Sequence, residues 1–560
     1  MISHRCLAVK ILICLVLYFS CAQFDQAVAQ ERREHGFRVN GYLYPDVNIP
    51  MTYYEKKIFD KLAVVVDGVA QDERREERHM PAGVSHGTLK SVKLNPEKTY
   101  LLVNLDKRLM FREGPDGMED FLHLLSMNAY VAAKDIVGKD VDVKYVYDGE
   151  VFGYGRPPPG FQYNALPSDS TMQAAAPTGG AAKGARDKVV VAASHGLYRK
   201  LDPSGTFDAW AFQRPDRFYG IIEDELTPDY ADELASLFSS QRYDILTELA
   251  RNNTEVQYIP PKGTGYTDPN RTWRLMGARY HLQSILPKKP TIWQSSGAAQ
   301  EYGQDRRARP YYANSIRADG LIHLHSNASN GQIVDGVEVP GTATGGDVIY
   351  SNLKSPNNSV LAEQIACSMQ EIVRKTTVYK TYSIKTKDGT NGYGEIDLAN
   401  MSSVLVELAY HDNPSDAAML LDPTFRSAAV KGIAKGWRLF REGKQCGPLV
   451  LNSVSDITGP ANTDLYGTAT YSGNGPFGMI SKLIACPIYP LNYYCPAGWG
   501  HTLSNITNSS FEFLYRCEHS VGVPQVTSYW RAHIVDEDGV KSNEIDWRFT
   551  CGGAGSAAAR

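Results

Sequence analysis

Gly320-Leu-Ile-His323-Leu-His325-Ser-Asn327-Ala328 sets two histidines in a run of otherwise apolar residues. A strand buried on both faces reads as such a run, and strands of that kind belong to parallel sheets. Two further stretches share the pattern: Val189-Val-Val-Ala-Ala-Ser-His195-Gly196 and Ser403-Val-Leu-Val-Glu407-Leu-Ala. In open α/β sheets the ligand site lies beyond the carboxyl ends of the strands. Three strands would therefore deliver His195, His325 and Glu407 to one neighbourhood.

Around these strands, residues 188–443 read as one domain in which strands alternate with helices. Leu361, Ile365, Met369 and Ile372 form one apolar stripe, and Phe425, Ala429, Ile433, Trp437 and Phe440 form another. Thr227-Pro228 reads as an N-cap with proline at the first helical position. This alternation predicts a central α/β domain with a mostly parallel twisted sheet and helices on both faces.

The flanks differ in character. Residues 36–165 predict a small α+β domain of unassigned role. Val92, Leu94 and Tyr100-Leu-Leu-Val-Asn-Leu105 read as strands, Phe121, Leu124, Leu125 and Ala129 have helical spacing, and Val141, Val143, Tyr145 and Tyr147 alternate before Asp148-Gly149. The Ala/Gly/Ser/Thr-rich residues 166–187 read as a flexible linker. Residues 446–551 carry five of the six cysteines that follow residue 29, with short apolar-aromatic runs between turn residues. That predicts an immunoglobulin-like β-sandwich, with Asp536-Glu-Asp-Gly539 as a hairpin turn and residues 552–560 as a disordered tail.

The chain has 560 residues, a net charge of −4 and 21% charged residues. The length allows several domains, and the charge argues against a nucleic-acid binder. His4, Arg5 and Lys10 precede the apolar run 11–19, and Ala27-Val-Ala29 offers a small-x-small cleavage site. Residues 1–29 are thus expected to be a signal peptide, and the protein is expected to be exported to the periplasm or cell envelope. No later segment is apolar enough to span a membrane. Export makes disulfides the expected state of Cys367, Cys446, Cys486, Cys495, Cys517 and Cys551, with a connectivity that spacing does not give.

Catalytic zinc takes three protein ligands and keeps a fourth position open. His195 and His325 supply two. The order of motifs resembles the zinc-dependent N-acetylmuramoyl-L-alanine amidases, amidase type 3. Members carry Gly-His-Gly after a strand, a glutamate opening a helix, Ser-Ile-His-x-Asn-Ala, and Leu-Val-Glu-x-Gly-Phe followed by Asn-Pro. This chain has Ser194-His195-Gly196, Glu223, His323-Leu-His325-Ser-Asn327-Ala328, and Leu405-Val-Glu407-Leu-Ala-Tyr410 followed by Asn413-Pro414. Ala231 and Leu234, eight and eleven residues after Glu223, support that glutamate over Glu225. Arg309 and Asn314 match a further family pattern.

The resemblance implies one Zn2+ held by His195, Glu223 and His325, with Glu407 as catalytic base. The implied substrate is peptidoglycan, cut between N-acetylmuramic acid and L-alanine, and the flanking domains would meet the wall or a protein partner. Ala192, Ser194, His323 and Ala409-Tyr410 depart from the family pattern without removing a ligand or the base. The loss of an acid at Ala192 is expected to weaken support of His195. The 207–214 segment is longer than in most members. His281 and His411 read as surface residues. A zinc peptidase of the stem peptide, or a non-catalytic wall-binding or regulatory protein, are the alternative readings.

Overall fold

The computed structural model describes residues 36–39, 42–63, 89–105, 125, 128–129, 132–138, 141–147, 150–153, 186–201, 206–294, 301–329, 331–334, 336–390, 393–485, 498–517 and 525–552. The expected signal peptide 1–29, most of the expected linker 166–187, Phe121, Leu124, the expected turn at Asp148-Gly149, Cys486, Cys495 and the expected tail beyond residue 552 lie outside them.

The central sheet is built from β1 (Lys188–Ala193), β2 (Leu246–Leu249), β3 (Gly320–Asn327), β4 (Gly346–Tyr350), β5 (Ile384–Asp388) and β6 (Ser402–Tyr410). Its order is β2-β1-β3-β6-β4-β5. The ladders are parallel except where β4 meets β6. β3 and β6, the two middle strands, are buried at every position, which is why they read as continuous apolar runs.

Successive side chains leave a strand on opposite faces, and the two faces of this sheet have different work. Val191, Ile322, Leu324, Val348, Val404 and Val406 join one apolar cluster with α1 (Glu223–Phe238), α3 (Asn358–Thr376) and α5 (Pro423–Glu442). On the opposite face Val190, Ala192 and Leu321 pack with Ala308, Tyr312 and Ala313 of α2 (Glu301–Ser315). Farther along that face, Ile349 and Leu405 pack with Ile396 of α4 (Gly394–Asp397) and with the apolar core of the N-terminal unit.

α3 and α5 cross closely because two glycines face α3. A Cβ on Gly432 would stand 2.4 Å from the Met369 Cα, and one on Gly436 2.5 Å from the Ile365 Cα. The Cys367–Cys446 disulfide ties α3 to the chain that follows α5.

α1 begins one turn earlier than its Thr227-Pro228 pair suggests. The helix opens at Glu223, and Pro228 lies inside it. An interior proline leaves the carbonyl four residues back without its helical N–H. That carbonyl belongs to Asp224, and the Arg251 guanidinium donates to it at 3.2 Å. A tertiary contact thus replaces the bond that proline removes.

In the N-terminal unit, Leu89–Leu94 pairs antiparallel with Tyr100–Leu105. Tyr100–Leu105 pairs parallel with Asp142–Tyr147, which pairs antiparallel with Glu150–Gly153. C-terminal to α5, the strands among the described residues form two sheets, one of four strands and one of five. The Cys517–Cys551 disulfide links a strand of the first, Ser510–Cys517, to a strand of the second, Ile545–Cys551. Trp530, Trp547 and Phe513 are buried there. Gly539, at φ +82°, closes the turn that begins at Asp536. Among the described residues no helix is long and apolar enough to cross a membrane.

Candidate metal centre and catalytic site

His325 lies opposite Glu407 in the β3–β6 ladder, so both side chains leave the same face of the sheet. His195 follows the end of β1, and its ring centroid is 5.3 Å from that of His325. Glu223, the first residue of α1, brings Oε1 to 2.8 Å from the His325 Nδ1. The Ser326 backbone N–H donates to the same oxygen at 3.3 Å. The strands thus place three of the four predicted residues, and the start of α1 places the fourth.

All four are buried, with 4–6% of each exposed, and charge decides their protonation. Burial pulls His195 well below the usual histidine range, and the neighbouring Arg309 adds to this. The imidazole is therefore neutral, the form that binds a metal. Burial would raise Glu223, but its hydrogen bond to His325 and the charge of that ring bring it down to about 2. Burial opposes protonation of His325, yet Glu395 and Glu223 outweigh it and carry the ring up to about 10. Burial pushes Glu407 up to about 8, with Glu223 and Asp347 adding to it against His325.

Glu395 is the residue that the sequence did not announce. It sits in the short helix α4, outside any apolar run, and is 3% exposed. His195, His325 and Glu395 form a buried group whose ligand-type atoms lie within 4.8 Å of one another. Glu395 is also ion-paired to Arg309 and stands 3.7 Å from the His323 Nδ1 and 3.5 Å from the His325 Nε2. Only tertiary packing brings this polar turn under β3 and β6.

The departures from the family pattern have visible roles. The Ser194 hydroxyl donates to the Asp224 carboxylate at 2.8 Å and lies 2.7 Å from the Thr227 hydroxyl, pinning the end of β1 to the first turns of α1. Although Ala192 carries no acid, Asp305 of α2 stands 3.8 Å from the His195 Nδ1, and the Arg309 guanidinium lies 3.2 Å from the same nitrogen. The fully buried His323 donates from Nε2 to the Glu395 backbone carbonyl at 3.2 Å, steadying α4.

His411 is a correction to the surface reading: it is 3% exposed, with Nδ1 2.9 Å from the Ser326 hydroxyl. It follows β6 directly, and its backbone N–H donates to the Asn327 carbonyl at 2.8 Å. His281 is partly buried rather than freely exposed. Asn314 is structural. Its amide donates to the Leu398 carbonyl and its oxygen accepts from the Asn400 N–H, holding the chain that leads into β6.

With this geometry in view, residues 189–438 match the family model described as N-acetylmuramoyl-L-alanine amidase. The central domain belongs to that family. Comparison with curated proteins returns no match. Similar solved structures include the N-acetylmuramoyl-L-alanine amidase from Clostridium difficile 630, at 17% identity over 46% of this chain and 98% of that one, with a TM-score of 0.28. The CwlD amidase from Clostridioides difficile, solved in complex with the GerS lipoprotein, is 15% identical over 46% of this chain and 100% of that one, with a TM-score of 0.29. The catalytic domain of CwlV from Bacillus (Paenibacillus) polymyxa var. colistinus is 16% identical over 46% and 99%, with a TM-score of 0.27. In the amidase domain of this chain, the matched segment contains both histidines, Glu223, Glu395 and Glu407.

The cluster suits a divalent cation. Glu223, Glu395 and Glu407 are all buried around two imidazoles, and the Glu407 Oε2 has no hydrogen-bond partner. Buried groups of this kind need a partner or a metal. Imidazole and carboxylate donors together suit zinc.

Proposed function

We propose that the protein is an exported N-acetylmuramoyl-L-alanine amidase that hydrolyses the amide between N-acetylmuramic acid and L-alanine of peptidoglycan. The observation that carries this reading is the meeting of His195, Glu223, His325 and Glu407 in one buried cluster within the segment that matches the family.

His195, Glu223 and His325 would hold one zinc ion. Glu223 already meets the His325 ring, with Oε1 2.8 Å from Nδ1, a hydrogen bond that keeps its carboxylate at the cluster. Glu395 has a different neighbour, since the Arg309 guanidinium already answers its charge. Zinc, when bound, supplies Lewis acidity to a water and to the scissile carbonyl.

The proton work falls to Glu407. Its carboxylate lies one strand from His325 and takes the proton of the attacking water, then gives it to the departing L-alanine amine. Burial raises its affinity for a proton, which favours its taking one from the water. His323 and Arg309 hold α4 and His195 in place around it.

Residues 1–29 would direct export and be removed. Residues 36–165 and 446–551 would be separate domains flanking the catalytic one at 188–443, the latter an immunoglobulin-like sandwich, a reading supported by its two sheets and buried tryptophans. They would set the enzyme against its polymer or a protein partner.

The test is digestion of purified peptidoglycan by the full mature chain, with zinc content and products recorded for wild type, Glu407→Gln, Glu223→Gln and Glu395→Gln. Wild type should release peptides with an L-alanine N-terminus. Glu407→Gln should keep its zinc and lose about 10²–10⁴-fold in rate. Glu223→Gln should lose zinc while Glu395→Gln keeps it; the reverse would make Glu395 the third ligand. Cuts within the stem peptide would replace the amidase reading with that of a zinc peptidase.

A further inference from the structure

Lys435 of α5 is fully buried, and two carboxylates meet its ammonium. Glu371 of α3 brings Oε2 to 2.8 Å from Nζ, and Asp536, just after the strand Val526–Val535, brings Oδ2 to 2.7 Å. Asp538 stands farther off, at 4.0 Å, and is answered by Arg242 and Arg438. The surroundings are apolar, since Met369 and Ile372 of α3, Ile433 and Ala434 of α5, and Ile534 and Val540 near Asp536 belong to one buried cluster. That cluster lies on the face of the sheet opposite His325 and Glu407, so the chemistry of the metal centre does not use these groups.

The two oxygens of Asp536 are held differently. Oδ1 accepts from the Asp538 backbone N–H at 2.9 Å and from the Val540 backbone N–H at 2.8 Å. Two fixed donors on one oxygen draw charge onto it and open Cγ to attack, as an oxyanion hole does. An amine 2.7 Å from Oδ2 stands close to the roughly 3–3.5 Å at which a nucleophile meets the attached carbon. Glu371 is fixed as well, because its Oε1 accepts from the Leu449 N–H at 3.1 Å. Burial works against the Lys435 ammonium, but Glu371 and Asp536 outweigh it and raise the group above its ordinary range. The proton therefore has to pass to a carboxylate already in contact. A nucleophile, a proton carrier and an electrophile with two donors thus meet in a dry pocket.

We propose that Lys435 and Asp536 condense to an amide, a covalent cross-link between α5 and the turn of the C-terminal sheets, with Glu371 as the proton carrier. Glu371 takes one proton from the ammonium and returns it to the Asp536 Oδ2. Nζ attacks Cγ, and the charge that develops on Oδ1 falls to the Asp538 and Val540 N–H groups. A second Nζ proton follows the same route, Cγ–Oδ2 breaks, and one water leaves. The amide keeps one N–H, Glu371 ends as it began, and nothing is oxidised or reduced. Held groups of this kind react as if at about 10⁵–10⁸ M, which is how a condensation that fails in free solution goes forward here. The bond fixes the C-terminal sheets to the domain that carries the metal centre.

The test is the intact mass of the full mature chain, with disulfides reduced, after the folded protein has stood at neutral pH. Wild type should fall short of its sequence mass by one water, and digestion should give Lys435 and Asp536 in one branched peptide. Glu371→Gln keeps both partners and should form the bond about 10²–10⁴-fold more slowly. Lys435→Met and Asp536→Ala should show the full mass. The wild-type mass decides the matter even if a variant fails to fold. A wild type at full mass, or with Lys435 and Asp536 in separate peptides, would overturn the bond and leave an ion pair. A water lost from Lys435→Met as well would come from cyclisation at Asp538-Gly539, and would equally overturn it.

Discussion

His501 shows how one side chain can report on its surroundings through pH. The Leu514 carbonyl, 3.2 Å from Nδ1, can only accept, so Nδ1 carries the proton. Nε2 then accepts from the Ser481 hydroxyl at 2.7 Å, and the Trp547 indole N–H donates to that same hydroxyl oxygen. This chain of bonds needs a neutral imidazole. Burial lowers His501 to about 4, whereas in the unfolded chain it protonates near 6.5. Its contribution is therefore complete above about pH 6.5 and is lost as pH falls toward 4. The loss amounts to roughly 3 kcal/mol. The fall in melting temperature between pH 7 and 4 should be shallower in His501→Gln than in wild type.

At the scale of elements, the crossing of α3 and α5 depends on two missing side chains. Gly432 and Gly436 are one turn apart on α5 and let the backbone of α3 approach. The apolar stripes read from the sequence meet here, with Ile365 and Met369 of α3 beside Ile433 and Trp437 of α5. In an exposed helix, alanine would be favoured over glycine by about 1 kcal/mol. Here the added methyl has nowhere to go, and overpacking costs about 1–3 kcal/mol. Gly436→Ala is expected to lower stability in denaturant titration, against its helix propensity. A gain in stability would mean that the helices separate freely.

Across the whole molecule, the C-terminal sheets and the amidase domain share a buried charge cluster. The fully buried Lys435 of α5 lies 2.8 Å from the Glu371 carboxylate of α3 and 2.7 Å from that of Asp536, in the C-terminal turn. Arg438 reaches Asp538 of the same turn at 3.2 Å, and Arg242 pairs with it as well. Removing one partner of a buried ion pair strands the other and costs about 3–5 kcal/mol. Lys435→Met should destabilise the chain by that order, and adding Glu371→Gln should return part of the loss. A Lys435→Met change of under about 1 kcal/mol would show that the two parts are not coupled through this cluster.

Local pattern in the sequence alone determined the main strands, the long helices and most of the site. β3 and β6 had to be buried strands because their runs are mostly apolar, and His195, His325 and Glu407 had to share a sheet end because strand direction carries them there. The apolar stripes of α3 and α5 likewise came from a 3.6-residue period. Tertiary structure decided the features that rest on residues far apart in the chain. Pro228 could sit inside α1 only because Arg251 takes over the freed carbonyl, so a local proline signal misplaced the helix start. Glu395 joined the two histidines through the packing of a polar turn, and His411 was buried by the end of the sheet that it follows. Asp347 came to face Glu407 because β4 runs antiparallel to β6, a register set by strand order. Periodicity is a property of neighbours along the chain, whereas the answer to a buried charge is a property of neighbours in space.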